Sequence, residues 1–211
     1  LRITVTLLTL LLVSSVFAQK NVDFSEENFP GREDALVEAV GDIADGDYFY
    51  DFGRGNTEIA LEYYRKADKF NPNNALLKYK IGKCYLEIKP TSEALRYFKW
   101  ALRIDSNVTN EVYYYMGRAY HMDLSFNTAI YYYKQYKYRL TPEEVRIQND
   151  LLTSQIEQAY FGQELYNNPK RVHIENLGTT VNTQYPDYHP IINADESMLF
   201  YTSRRENTTG A

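Results

Sequence analysis

Two cations at matched positions are the residues of this chain best suited to chemistry. Lys83 follows Tyr79 by four residues, and 35 residues further on Arg118 follows Tyr114 by the same interval, with His121 one turn beyond. On two stacked helices these side chains form a tyrosine-lined strip carrying positive charge. Such a strip can hold an acidic or C-terminal peptide segment through charge-assisted hydrogen bonds; the same spacing also suits an ordinary solvated helix face. Bond-making chemistry finds less support. No Gly-x-Ser-x-Gly elbow, His-Glu-x-x-His pair or phosphate-cradling glycine loop occurs. His121, His173 and His189 are too far apart for metal-ligand spacing. Gly53-Arg54-Gly55 reads as a turn between helices, and Asp187, Asp195 and Glu196 read as loop and turn-capping acids rather than calcium ligands. The expectation is a non-enzymatic protein with no catalytic residue, metal or cofactor.

The elements that must position the strip are declared by a repeat. Gly82, Tyr85, Ala94 and Phe98 become Gly117, Tyr120, Ala129 and Tyr133 at an offset of 35. In a helical hairpin, a glycine on the first helix and an alanine twelve residues later on the second let two backbones approach, while the aromatics fill the space beside them. A third copy lies upstream, where Ala60, Tyr64, Ala67 and Pro72 precede Ala94, Phe98, Ala101 and Ser106 by 34 residues. Its first helix fits on Gly46 and Phe49 if the turn Gly53-Arg54-Gly55-Asn56 is two residues longer.

Helix pairs are therefore predicted near 33–50 and 56–70, 75–88 and 91–104, and 109–122 and 125–138. Asn71-Pro72-Asn73-Asn74, Lys89-Pro90-Thr91 and Asp105-Ser106-Asn107 supply the breaks. Thr141-Pro142-Glu143-Glu144 opens a further helix, with proline in its first turn and acids complementing the dipole. It runs to about Tyr166, carries Val145, Leu151, Ile156 and Tyr160 among polar residues, and ends at Asn167-Asn168-Pro169. It reads as the polar-faced cap that a repeat array requires.

The pattern Ile/Met-Gly-x-x-Tyr, then Ala-x-x-x-aromatic-x-x-Ala and a proline, resembles the tetratricopeptide (TPR) repeat, whose period is about 34 residues. The resemblance implies an α-solenoid that binds protein partners. Two positions depart from it: Lys78 stands where a bulky aromatic is usual in the second copy, and Tyr136 replaces the last small residue of the third. Looser packing against the next helix is expected at Tyr136.

Residues 1–18 read as a secretory signal peptide, with an apolar run from Val5 to Val13 and cleavage after Ala18, followed by a flexible polar lead over 19–32. The run is too short for a helix to span a bilayer of about 30 Å. No lipobox cysteine follows it, so outer-membrane association would not rest on an acyl group. Cys84 is the only cysteine, which excludes an intramolecular disulfide and reads as an inert buried thiol. Acids outnumber bases 28 to 23 for a net charge of −5, with the bases mixed among glutamates, which argues against a nucleic-acid partner. The real bias is 21 tyrosines, large contact surfaces with a polar tip.

From Arg171 the periodicity changes to two: Val172 and Ile174 alternate with Arg171, His173 and Glu175, turns follow at Leu177-Gly178 and Tyr185 to Pro190, and Met198 to Thr202 reads as a buried strand. The segment from Asp187 through Asp195 to Ser203-Arg204-Arg205 resembles the start of a TolB-type β-propeller repeat, with a proline-led strand, an Asp-centred turn and a strand ending in Ser-Arg-Arg. Residues 171–211 then represent an incomplete first blade, after a TPR domain with capping helix over 33–168. This order is similar to that of a Bacteroidetes cell-envelope family in which a TPR domain precedes a TolB-like propeller and often an OmpA-like domain; some members serve type IX secretion. The resemblance implies a periplasmic scaffold, associated with the outer membrane, that docks envelope proteins and meets peptidoglycan only through a further domain. The alternative is the targeting module of an exported hydrolase.

Overall fold

The computed structural model describes residues 20–53, 55–88 and 91–206. The expected signal peptide lies outside the described residues, as do Arg54, Lys89 and Pro90 of the expected turns. Among the described residues the chain forms α1 (Glu33–Asp51), α2 (Thr57–Phe70), α3 (Ala75–Ile88), α4 (Thr91–Ile104), α5 (Glu111–Met122), α6 (Phe126–Arg139) and α7 (Pro142–Asn167), then β1 (Asp187–Ile192) and β2 (Leu199–Ser203). It divides into two units, Leu1–Asn168 and Pro169–Ala211. No described helix is long and apolar enough to cross a membrane.

The helical unit is an α-solenoid in which α1 packs on α2, α3 on α4 and α5 on α6, with α2 also meeting α3 and α4 meeting α5. Its recurring contact explains the glycines. A Cβ on Gly82 would fall 2.6 Å from the Phe98 ring, on Gly117 2.6 Å from Tyr133, and on Gly46 2.5 Å from Tyr64. Each ring of a second helix thus lies directly against the backbone of the first. Ala60, Ala67, Ala94, Ala101 and Ala129 are fully buried, so the second helix approaches without obstruction. Beside the seam, Tyr85 and Tyr120 stack on Tyr97 and Tyr132, at 5.4 and 5.3 Å between ring centroids. The first unit obeys the same rule through Gly46, with the longer loop absorbing the extra residues.

The two positions that depart from the repeat are solved locally. Lys78 is wholly buried, and its ammonium lies 2.7 and 2.8 Å from the two Asp68 carboxylate oxygens and 3.6 Å above the Trp100 ring. A long aliphatic stem fills the aromatic's place, and an acid and a ring face answer its charge. Tyr136 is also buried rather than loosely packed, because its phenol donates to Gln148 on α7 at 3.0 Å.

Two segments outside the repeated pairs carry contacts of their own. The lead expected over 19–32 has, in its described residues, specific partners on the repeats: its Val22 amide donates to the Asn73 carbonyl, and the Val22 carbonyl accepts from the buried amides of Asn71 and Asn74. Asn21 accepts from the Ala75 amide at the start of α3, and Phe24 and Phe29 pack on Phe70 beneath the Arg32 guanidinium. The two phenylalanines and the buried asparagines give a polar-looking segment specific partners. Helix α7 begins as expected, with a reciprocal Thr141–Glu144 capping box and Pro142 in the first turn. Its outer face, however, is not polar: Leu152 and Ala159 turn inward to α6, while Ile147, Leu151, Phe161 and Leu165 face solvent.

In the second unit, no strand forms over 171–177. The pairing runs instead between β1 and β2, antiparallel, with Ile191 opposite Phe200 and Ile192 opposite Leu199, and with a bulge between Tyr188 and Ile191. Pro190, which lacks an amide, sits at that bulge, where the ladder does not need its hydrogen bond. Asp195 stabilises the turn as its type suggests, accepting from the Ser197 amide and hydroxyl at 3.1 and 2.7 Å. Arg205 holds the loop before the hairpin, donating to the Thr180 and Val181 carbonyls and to Asp187. Among the described residues this hairpin is the one sheet, of two strands.

Candidate peptide-binding groove

Three cavities along the helical unit contain most of the predicted strip. The first, about 260 Å³, is lined by Asp47, Tyr50 and Asp51 of α1, Tyr64 of α2, and Tyr79, Lys80 and Lys83 of α3. The second, about 480 Å³, lies among the start of α2, Leu86 to Ile88 of α3, and Arg118 and Met122 of α5. The third, about 310 Å³, shares Arg118 and Met122 and adds His121, Tyr133, and Gln155 and Gln158 of α7. A hydrogen bond of 2.8 Å from the Tyr50 phenol to Glu87 joins the first to the second.

Lys83 lines the first cavity. Its ammonium lies 4.4 Å from the Tyr50 ring centroid, 5.7 Å from Tyr79 and 5.4 Å from Tyr115, so three negative ring faces surround it. It forms no ion pair among the described residues, and neither does Arg118, whose guanidinium is 5.9 Å from the Tyr115 ring. Lys80, by contrast, is committed to Asp47 at 2.5 Å. The groove thus carries two cations without a carboxylate partner among the described residues, Lys83 among three rings and Arg118 beside one.

Three of the carboxylates nearby accept from phenols. Tyr64 donates to Asp47 at 2.6 Å, Tyr79 to Glu111 at 2.5 Å, and Tyr50 and Thr57 both to Glu87 at 2.8 Å. Burial, reinforced by these acidic acceptors, pushes the Tyr50, Tyr64 and Tyr79 phenols far above their ordinary range. They remain neutral donors, and each donated proton partly neutralises the acid that would otherwise compete for Lys83. Burial also holds the His121 imidazole below its ordinary range, and its Nδ1 lies 3.4 Å from the Tyr133 hydroxyl.

The structure brings Tyr79 and Lys83 into one cavity and Arg118 and His121 into another. Tyr114 lines neither: it packs against Tyr115, Tyr133 and Tyr136. Tyr79 is buried, so it walls the groove mainly through its ring. Sequence reasoning missed Tyr50, Tyr115 and Glu87. Tyr115 had a signal, since it lies three residues before Arg118, but Tyr50 sits in the copy whose register the longer loop displaces. Cys84 is buried against this wall, where burial pushes its thiol up to about 12, so it is no nucleophile at neutral pH. Among the described residues no group of His, Cys, Asp and Glu could hold a metal ion.

No protein-family model matches the chain. No curated protein matches it by sequence. Among solved structures it is similar to the second TPR of Spaghetti (RPAP3) bound to an HSP90 peptide, at 23% identity over 47% of this chain and 89% of that one, with a TM-score of 0.43. It is also similar to the Sgt2 TPR domain from Aspergillus fumigatus, at 15% identity over 69% and 94% with a TM-score of 0.49, and to the TPR2B domain of yeast Sti1, at 15% over 62% and 98% with 0.47. The hairpin order, the 35-residue offset and the glycine-to-ring contacts establish the helical repeat in this chain independently of these likenesses.

Proposed function

We propose that this protein is a non-enzymatic scaffold of the bacterial envelope, and that its helical unit docks a protein partner by binding an extended acidic segment or free C-terminus along the groove. The observation that carries the reading is the pair Lys83 and Arg118, on successive first helices, Lys83 among three tyrosine rings and Arg118 beside one, both without carboxylate partners among the described residues. A ligand carboxylate there gains charge-assisted hydrogen bonds, at Lys83 with little cost in rearrangement because three ring contacts already position its ammonium. Glu87, Asp47 and Glu111 are engaged by Tyr50, Tyr64 and Tyr79, so these three acids repel such a ligand less than their number suggests. The N-terminal apolar run from Val5 to Val13, followed by a small residue at Ala18 for cleavage, supports export.

The test is fluorescence anisotropy with a labelled acidic peptide ending in a free carboxylate, against its C-terminal amide and a charge-neutral analogue. The free acid should bind tightest, and Lys83→Met with Arg118→Met should weaken it at least about tenfold while leaving the helical circular dichroism intact. Equal binding by the double variant, or no binding by the unaltered chain, would sink the groove assignment. N-terminal sequencing of protein recovered from a bacterial periplasm tests the export reading separately, with Gln19 expected as the first residue.

A further inference from the structure

We infer that the outer face of α7 is a second docking surface, distinct from the groove, for an amphipathic helix of another protein that carries Lys or Arg along one flank of an apolar seam. Helix α7 packs on α6 through Leu152, Ile156 and Ala159, with Tyr133 and Tyr136 donating to Gln155 and Gln148. Roughly 140° around the helix, at about 100° per residue, a different row emerges. Ile147, Leu151, Phe161 and Leu165 are 70%, 48%, 61% and 40% exposed. With Ser154 and Gln158 between them they follow alternating steps of four and three residues, the seam spacing of a helix that packs along another helix. By the 35-residue offset Ile147 and Leu151 correspond to Val112 and Met116 of α5, which are buried in the array. Within the helical unit no other helix covers this face.

Charge decides which helix fits. Asp150, Glu157 and Glu164 recur every seven residues along one border of the seam, all exposed and without an ion pair among the described residues. Glu143 continues the row but is engaged by Arg146 at 2.6 Å. The alternating seam reads alike in both directions, which would suit antiparallel pairing with a second copy. That pairing sets Asp150 against Glu164 and Glu157 against itself, so like charges meet along the whole border. A helix with basic residues at the facing positions turns the same row into attraction and steers the encounter.

Two synthetic helical peptides as long as α7 test this, sharing a leucine seam and differing only in lysine or glutamate flanks. Titrated into the full chain, the lysine peptide should bind at least tenfold more tightly than its glutamate twin. Leu151→Gln with Phe161→Gln should abolish that binding, and Asp150→Lys, Glu157→Lys and Glu164→Lys together should reverse the preference; circular dichroism confirms that each variant is folded. Lys83→Met with Arg118→Met should leave it unchanged, which separates this surface from the groove. Equal binding of both peptides, or indifference to the seam variants, would overturn the inference. So would a concentration-dependent dimer, seen by sedimentation, that Leu151→Gln dissolves, because the occupant would then be a second copy.

Discussion

At the scale of single residues, Lys78 shows how a repeat tolerates a charge in its core. The ammonium is fully enclosed and depends on Asp68 and the Trp100 face. Asp68→Ala should therefore cost about 3–5 kcal/mol, because it leaves a buried charge without its counter-ion, whereas Lys78→Met with Asp68→Leu should restore most of that loss. Urea denaturation of the three proteins measures both steps, and a mild Asp68→Ala would mean that the ring face alone suffices. His121 gives a pH signature. Its folded-state pKa is lowered by burial, so the unfolded chain takes up the proton first. Stability is then full above its unfolded value near 6.5 and falls as pH drops through that value towards the lower folded one. Between pH 8 and pH 5 the unaltered chain should lose more stability than His121→Gln; parallel losses would show that His121 is not responsible. Repeat spacing reveals His121 and the cations, but not the Lys78 partners. Asp68 lies ten residues upstream on another helix and Trp100 on a third, and only folding makes them neighbours.

At the scale of elements, the helices are legible almost to the residue because turn residues and small-residue spacing mark their ends as well as their faces. The lead is not legible, since its contribution is made through backbone groups that composition does not reveal. Asn71 and Asn74 are buried with the Val22 carbonyl as acceptor for both. Residues 33–168 alone should consequently melt cooperatively as a helical protein but below 20–168, because two buried amides lose their acceptor, at about 1–3 kcal/mol each, and Phe70 loses its cover. Thermal melts of the two fragments decide it; equal midpoints would make the lead an ornament. The α7 face escapes sequence reasoning for a different reason. Periodicity shows that a helix has apolar residues on two sides, but it cannot assign Ile147 and Ile156 to inside or outside until the neighbouring helix is known. Ile156 packs against the α6 side, whereas Ile147 faces solvent.

At the scale of the molecule, stability is unevenly distributed. The helical unit holds the extended hydrophobic clusters, whereas β1 and β2 form a two-stranded hairpin with Ile191, Ile192 and Phe200 exposed. Two strands alone are marginal in water, so hydrogen exchange should find their amides opening far more readily than those of α3 and α4. Comparable protection would show that the second unit is a self-sufficient β-domain. The change of pattern at Arg171 announces a separate unit, but the strand expected over 172–174 does not form, because alternation alone supplies no partner strand. The glycine-to-ring seams close each hairpin on itself, and α2 on α3 and α4 on α5 join it to its neighbours, as in any linear array. Light offers a way to watch this. Trp100 is the sole tryptophan, stacked on Tyr97 at 5.9 Å beneath the Lys78 ammonium. Its emission reads the middle of the array and nothing else, while far-ultraviolet ellipticity sums over every helix. The two signals coincide on heating only if the solenoid melts as one body, and a lag of emission behind ellipticity records its ends unravelling first.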